Sequence, residues 1–117
     1  MTHDVIIALG SCYLPAVHIQ WVSERLAACL QPLRFSRKLW TEDIHATGLF
    51  YMNRLVAAST TLSAPALEQQ LKAIEAETRR TRDCVTLDLD LMQYDGQRFH
   101  EKDWPRPYIR QLLPDIQ

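Results

Sequence analysis

A single strand-like stretch, Val85-Thr86-Leu87-Asp88-Leu89-Asp90-Leu91-Met92, alternates apolar with polar residues, and the other predicted elements are placed around it. Successive side chains of a strand point to opposite faces, so the leucines line one face and both aspartates line the other. The apolar face is predicted to enter the core. The two carboxylates then lie about 7 Å apart along the strand, where they can bind one or two hard cations such as Mg²⁺. A solvated strand face is the alternative.

Length and composition are those of an ordinary globular protein. The 117 residues fit one domain, which we expect to span 1–117, and the apolar share of 47% allows a modest core. The net charge of −1 provides no general attraction for nucleic acid, so no such partner is expected. The first ten residues lack the features of a signal peptide or a membrane span, which predicts a cytoplasmic protein without a membrane partner. Three cysteines without paired spacing indicate neither a disulfide framework nor a zinc site.

Apolar periodicity and turn residues predict the other elements. Short apolar or aromatic runs bounded by turn residues are typical of strands, and apolar residues three or four positions apart are typical of helices. Ser63 is expected to cap the second helix, and Asp95-Gly96 is a hairpin signal. The predicted strands are 4–9, 34–40, 50–61, the acidic strand up to residue 94, and 97–100. The predicted helices are 16–30 and one that follows Ser63 and runs to 78, and 104–117 is expected to be mostly irregular.

This order of elements is β-α-β-β-α-β. It predicts an α+β fold of the ferredoxin-like type, in which an antiparallel sheet carries both helices on one face. Because that fold hosts many unrelated functions, the function has to be inferred from particular side chains.

Two further groups of polar or aromatic side chains are candidates for ligand binding. Arg79, Arg80 and Arg82 precede the acidic strand, and guanidinium groups bind phosphate through paired hydrogen bonds. A solvated helix C-terminus would contain the same basic residues. Tyr51 and Asn53 share one face of the third predicted strand. An asparagine can hydrogen-bond the edge of a pterin or purine while an aromatic ring stacks on its plane, although ordinary strand packing is the alternative.

Four segments of the chain keep a common order over residues 4–96. They are Ala8-Leu9-Gly10-Ser11, Phe50-Tyr51-Met52-Asn53, Ile74-Glu75 with Arg80 and Arg82, and Thr86-Leu87-Asp88-Leu89-Asp90-Leu91-Met92. Taken together, these segments resemble the 6-hydroxymethyl-7,8-dihydropterin pyrophosphokinase family of folate biosynthesis. The resemblance implies a ferredoxin-like α+β fold and an ATP-dependent diphosphotransferase that transfers pyrophosphate from ATP to the pterin hydroxymethyl group with Mg²⁺.

The resemblance also implies roles for particular residues. Asp88 and Asp90 would coordinate two Mg²⁺ ions between ATP and the pterin. The residues expected to bind the pterin are Asn53, Tyr51, Thr41, Glu42 and Ile44. The residues expected to bind the nucleotide are Glu75, Arg80, Arg82 and Arg110, of which Arg80 and Arg82 would also be catalytic. In-line transfer of this kind needs positioning and charge neutralisation more than a protein nucleophile.

The chain departs from the family pattern in two places. It lacks the Gly-Pro-Arg loop before the acidic strand, where Val85 stands in place of an arginine, and it lacks the C-terminal lid motifs, whose nearest counterpart is Pro107-Tyr108. Loss of phosphate-binding side chains and of a lid reduces the rate of a reaction before it affects folding. Two alternatives therefore stay open. One is a weakened or inactive paralogue that binds a pterin-like or other heterocyclic ligand, and the other is transfer to a different heterocyclic alcohol.

Overall fold

An antiparallel sheet forms the centre of the protein. The computed structural model describes residues 1–30, 33–42, 48–78 and 87–117. Within them, the strands are His3–Ser11 (β1), Leu33–Phe35 (β2), Leu39–Glu42 (β3), Phe50–Thr60 (β4), Asp88–Tyr94 (β5) and Gln97–Arg98 (β6). The helices are Pro15–Cys29 (α1), Ala64–Glu77 (α2), Pro107–Leu112 (α3) and the 3₁₀ helix Leu113–Ile116. In the same ranges, no helix combines the length and the apolar character that a membrane crossing requires.

β1 is the central strand of the sheet. The strand order is β2-β4-β1-β5-β6, β3 also pairs with β4, and every pairing is antiparallel. The predicted α+β class is therefore confirmed. The ferredoxin-like arrangement itself stays a prediction, because six strands and three α-helices are more than β-α-β-β-α-β contains.

The first face of the sheet buries the apolar sides of α1 and α2. Helix α2 begins where the sequence predicts, since the Ser63 hydroxyl accepts a hydrogen bond from the Ala66 N–H at 3.3 Å. The leucines of the acidic strand lie in this core. Their neighbours include Val22, Leu26, Leu67, Leu71 and Ile74. Because side chains alternate along β5, the two aspartates lie on the second face.

The second face is partly covered by α3 and the 3₁₀ helix, which differs from the mostly irregular segment that was predicted. Pro107 and Pro114 lie in the first turns of these helices. A proline there removes an N–H that would have no partner within the helix. Apolar residues at helical spacing then pack on the sheet. This second core contains Ala8, Leu55, Met92, Trp104, Ile109, Leu112 and Ile116.

The predicted strand 34–40 is divided into β2 and β3 at Ser36. The buried Ser36 hydroxyl accepts a hydrogen bond from the Leu55 N–H at 2.8 Å and donates one to the Arg37 carbonyl at 2.8 Å. Phe35 pairs with Val56, whereas Leu39 pairs with Asn53, so the register shifts by one residue between the two strands. This shift places Leu39 and the following alternate residue, Thr41, on the second face with Asn53.

Candidate active site

A row of residues crosses the second face of the sheet at Gly10. This glycine of β1 pairs with Asn53 of β4 on one side and with Asp88 of β5 on the other. Paired residues of antiparallel strands share a face. Neighbouring strands are about 4.8 Å apart, so the backbones of Asn53 and Asp88 are about 10 Å apart. Because Gly10 has no side chain, the space above the row stays open between the amide and the carboxylate.

The row forms the floor of a cavity of about 440 Å³, which we call the sheet cavity. Asp90 pairs with Ala8 and extends the floor. It lies two residues after Asp88 in β5, on the same face of the sheet. The start of α3 forms the opposite wall. The lining residues are Ala8, Leu9, Gly10, Thr41, Glu42, Tyr51, Asn53, Asp88, Asp90, Arg106, Pro107 and Tyr108.

The amide of Asn53 is buried and has a defined orientation. Its Nδ2 donates to Thr41 Oγ1 at 2.6 Å and to the Leu39 carbonyl at 3.5 Å. Its Oδ1 lies toward Gly10, where an added Cβ would be 3.5 Å away from it. Asn53 therefore presents a hydrogen-bond acceptor to the cavity, which matches a ligand edge that carries N–H donors.

The carboxylates of Asp88 and Asp90 make the opposite end of the sheet cavity acidic. Burial, and then the charge of Asp88, raises the pKa of Asp90 to about 6. A bound cation would offset the repulsion between the two carboxylates. Among the described residues, no group of three or more His, Cys, Asp or Glu side chains is placed to bind a metal ion. A two-carboxylate site fits Mg²⁺, which takes its remaining ligands from water and substrate phosphate.

The hydroxyl of Tyr108 belongs to the same electrostatic environment. Burial raises the pKa of Tyr108 to about 12, and the charges of Arg106, Asp103, Asp90 and Asp88 also act on it. The phenol is therefore protonated at neutral pH. It is able to donate a hydrogen bond to an anionic ligand in the cavity.

Glu75 is a buried residue of α2 that supports β5. Its Oε2 accepts a hydrogen bond from the Leu89 N–H at 2.7 Å, and its Oε1 forms an ion pair with Lys72 Nζ at 3.2 Å. Leu89 lies between Asp88 and Asp90, so this carboxylate holds the backbone that positions both of them. The predicted role of Glu75 at a nucleotide site stays a prediction.

Six of the predicted site residues line the sheet cavity. They are Thr41, Glu42, Tyr51, Asn53, Asp88 and Asp90. Arg110 is exposed on α3 and is not among the residues that line this cavity. Ile44, Arg80 and Arg82 lie outside the described residues.

Arg106 and Tyr108 line the sheet cavity without having been predicted as site residues. The sequence carries a signal for them, because Ile109, Leu112 and Ile116 recur at helical spacing directly after Pro107. A helix begun by that proline would have placed both residues at its start.

A second cavity, of about 560 Å³, adjoins β5 on the side of α2, and we call it the edge cavity. Asp90 lines both cavities. The other lining residues of the edge cavity are Pro65, Glu68, Gln69, Leu71, Lys72, Leu89, Leu91 and His100. A ligand in the edge cavity can therefore approach a ligand in the sheet cavity at this aspartate.

One known protein family matches most of the chain. The family model of 7,8-dihydro-6-hydroxymethylpterin-pyrophosphokinase (HPPK) matches residues 6–117. The chain belongs to the HPPK family. The resemblance noted in the sequence is thereby confirmed, and a folate-pathway pyrophosphokinase role follows in general terms. The HPPK match runs through α3, so the segment that contains Arg106 and Tyr108 is part of the family domain. No curated protein is significantly similar to the chain.

Proposed function

We propose that this HPPK-family chain transfers pyrophosphate from ATP to the hydroxymethyl group of 6-hydroxymethyl-7,8-dihydropterin, with Mg²⁺ bound by Asp88 and Asp90. The observation that carries the proposal is the row in which Gly10 lies between Asn53 and Asp88. This row places a hydrogen-bond acceptor for a heterocycle, Asn53, and a proposed cation ligand, Asp88, in the same cavity. A ring bound at Asn53 can then direct its hydroxymethyl group toward the aspartates.

The pterin is proposed to lie over Gly10. The Asn53 Oδ1 accepts a hydrogen bond from the amino or ring N–H groups of the pterin, and Tyr51 packs against the plane of the ring. Thr41 holds the amide in the required orientation through the 2.6 Å hydrogen bond to Nδ2. Glu42 and Ile44 complete this proposed binding region.

The nucleotide is proposed to occupy the edge cavity, with its phosphates crossing to the sheet cavity beside Asp90. Lys72 lines the edge cavity and contributes a positive charge. Arg80, Arg82 and Arg110 remain proposed phosphate ligands, and the first two remain proposed catalytic residues.

The proposed reaction needs no covalent enzyme intermediate. The hydroxymethyl oxygen forms a bond to the β-phosphorus of ATP while the bond from that phosphorus to the α,β-bridging oxygen breaks, so AMP leaves and the hydroxyl proton passes to water. Mg²⁺, in one or two ions, supplies charge neutralisation of the phosphates. Asp88 and Asp90 fix the position of that charge, and Asn53 and Tyr51 hold the acceptor in line. Pro107 and Tyr108 form a wall that limits access of water.

A direct assay tests this function. Protein, ATP, Mg²⁺ and 6-hydroxymethyl-7,8-dihydropterin are expected to give AMP and the pterin diphosphate in equal amounts, measured by chromatography. Omission of either Mg²⁺ or the pterin is expected to stop AMP formation. A folded sample that forms no AMP above the blank would refute the catalytic claim, and AMP formation without pterin would indicate nucleotide hydrolysis instead.

The weakened or inactive paralogue is distinguished by binding measurements. Calorimetry of such a paralogue would show pterin binding without Mg²⁺-dependent nucleotide binding. The retained pair of Asp88 and Asp90 on the floor of the sheet cavity favours the enzyme, because a pterin binder does not require a cation site.

Substitution of Gly10 is expected to separate ligand binding from stability. A Cβ at Gly10 would lie 3.5 Å from Asn53 Oδ1 and 4.0 Å from Tyr51 Cδ1, which are ordinary contacts. Gly10→Ala is therefore expected to be as stable as the wild type or about 0.5 kcal/mol more stable. Gly10→Leu should lower pterin affinity about 10-fold or more, because its side chain occupies the space above the row. Calorimetric titration with 6-hydroxymethylpterin and thermal denaturation measure the two effects, and unchanged affinity in Gly10→Leu would contradict the proposed location of the pterin.

A further inference from the structure

The wall of the sheet cavity at the start of α3 depends on how this short helix is held. Helix α3 has six residues, and a helix of that length is not stable in isolation. Ile109 and Leu112 bury their side chains in the second core, but apolar contact is non-directional. Hydrogen bonds to α3 and to the 3₁₀ helix that follows it are therefore what can fix the distance from this wall to Asn53 on the floor.

Arg37, in the connection between β2 and β3, makes such hydrogen bonds to both helices. Its backbone N–H donates to Asp115 Oδ2 at 2.9 Å, and its Nη1 donates to Asp115 Oδ1 at 2.9 Å. Asp115 belongs to the 3₁₀ helix. The Nη2 of Arg37 donates to the carbonyl of Gln111, in the last turn of α3, at 3.4 Å. We call these three hydrogen bonds the clasp.

The segment that carries the clasp is itself fixed to the sheet through Ser36. The Ser36 hydroxyl bonds both the Leu55 N–H and the Arg37 carbonyl at 2.8 Å. The Ser36 carbonyl accepts from Arg54 Nε at 2.8 Å, and Arg54 Nη1 donates to Ser23 Oγ of α1 at 3.2 Å. Ser36 and Ser23 are both buried. The clasp therefore connects the C-terminal helices to a rigid part of the molecule.

The contacts of the clasp affect position more than stability. The side chain of Arg37 is exposed and that of Asp115 is partly exposed, and ion pairs of this kind contribute little to the free energy of unfolding. The same segment contains the register shift at Ser36, which brings Thr41 to Asn53. One short stretch of chain therefore positions the amide on the floor of the sheet cavity and the helix in its wall.

We propose that Arg37 and Asp115 are positioning residues for the transfer reaction. The clasp holds the start of α3 at the distance from Asn53 and Gly10 at which a pterin fits between wall and floor. This inference rests on the proposed function. Neither residue lines the sheet cavity, so both act through α3. The edge cavity is lined by residues of α2, β5 and His100, so the nucleotide proposed there depends less on the clasp.

Calorimetric titrations of the full chain test this proposal, one with 6-hydroxymethylpterin and one with α,β-methylene-ATP and Mg²⁺. Arg37→Met removes the guanidinium donors and is expected to lower pterin affinity about 10-fold, because a small displacement of a binding wall has large effects. Nucleotide affinity should fall less than about 3-fold. Asp115→Asn should give an intermediate loss of pterin affinity, because an amide keeps one acceptor oxygen. The double variant should lose no more than Arg37→Met does, because both changes act on one clasp.

Hydrogen exchange without ligands measures the position of α3 directly. In Arg37→Met, the amides of α3 are expected to exchange about 5-fold faster, while those of β1 exchange as in the wild type. Lys38→Met is the matched control, because it removes a positive charge at the next residue, which is exposed and is not part of the clasp. It should match the wild type in both affinities and in exchange.

The possible results separate a positioning role from a general structural one. Wild-type pterin affinity in Arg37→Met would overturn the proposal. Parallel losses of pterin and nucleotide affinity, with faster exchange in β1 as well as α3, would overturn it in favour of a general loss of stability. A wild-type chain that binds neither ligand would overturn the proposed function itself.

Discussion

Replacement of Asp90 by asparagine will lower pyrophosphate transfer by about 10³-fold or more in a protein that stays folded. Asp90 lines both the sheet cavity and the edge cavity. An asparagine keeps the shape but removes the negative charge that a divalent cation requires. Asp88→Asn should have a comparable effect, because each carboxylate contributes to the same cation site. Steady-state AMP formation at saturating Mg²⁺ measures both losses.

Loss of activity in Asp90→Asn will not result from unfolding. The pKa of Asp90 is raised by burial and then by Asp88, from 3.8 to about 6. The folded state therefore binds this proton more tightly, and ionisation as the pH rises through this range lowers the free energy of unfolding. Asparagine does not ionise. Without Mg²⁺, the variant is expected to be about 1 kcal/mol more stable than the wild type at pH 8, after allowance for partial exposure, and the difference should disappear near pH 4.

Asp4→Asn is the matched control for these substitutions. Asp4 is exposed on the same sheet, where it accepts a hydrogen bond from the Ser59 hydroxyl at 3.3 Å, and it does not line the sheet cavity. The Asp4→Asn variant should form AMP at the same rate as the wild type. Asp88→Asn and Asp90→Asn proteins that retain wild-type rates would show that the acidic pair does not bind the catalytic cation.

Glu75→Leu is expected to lower the free energy of unfolding by about 2 to 3 kcal/mol. Leucine is similar in size, but it leaves the Leu89 N–H without the acceptor that Glu75 Oε2 provides at 2.7 Å. An unsatisfied buried donor costs about 1 to 3 kcal/mol, and loss of a charged acceptor lies at the upper end. Urea denaturation without ligands measures the change.

Two controls separate the hydrogen bond of Glu75 from its ion pair. Glu75→Gln keeps a carbonyl acceptor for the Leu89 N–H and should lose about 1 kcal/mol or less. Lys72→Met removes the ion pair at 3.2 Å, whose lysine side chain is largely exposed, and should change stability by less than about 0.5 kcal/mol. If Glu75→Leu were as stable as Glu75→Gln, the carboxylate would not be a support of β5.

The sequence was sufficient to predict which side chains of a single strand lie on the same face of the sheet. The leucines of the acidic strand had to lie on one face and Asp88 and Asp90 on the other, and the structure has this arrangement. Tyr51 and Asn53 likewise share a face because they are two residues apart. Periodicity fixes the facing of side chains within a strand, but it does not fix which residues of different strands stand side by side.

The pairing of strands depends on contacts that are remote in sequence. Gly10 stands between Asn53 and Asp88 only through the registers of β1 with β4 and with β5. Thr41 reaches Asn53 because the strand register shifts at Ser36. There the Ser36 hydroxyl, in place of a backbone carbonyl, accepts a hydrogen bond from the Leu55 N–H. The sequence alone does not predict such a register shift, because a serine in a short strand has no distinctive pattern.

The C-terminal segment is largely helical although its three prolines favour irregular structure. Pro107 and Pro114 lie in first turns, where a proline is favourable. Ile109, Leu112 and Ile116 supply the helical period and enter the second core. Arg106 could be assigned to the sheet cavity only once α3 was seen to pack over the second face.

The most direct test of the proposed site is a crystal structure of the protein with α,β-methylene-ATP, Mg²⁺ and 6-hydroxymethylpterin. We expect a pterin over Gly10 with its N–H edge at Asn53, and Mg²⁺ about 2.0 to 2.1 Å from carboxylate oxygens of Asp88 and Asp90. We also expect the hydroxymethyl oxygen to point toward the β-phosphate. A pterin or a metal–nucleotide complex bound away from this row, with both aspartates facing bulk solvent, would contradict the proposed site.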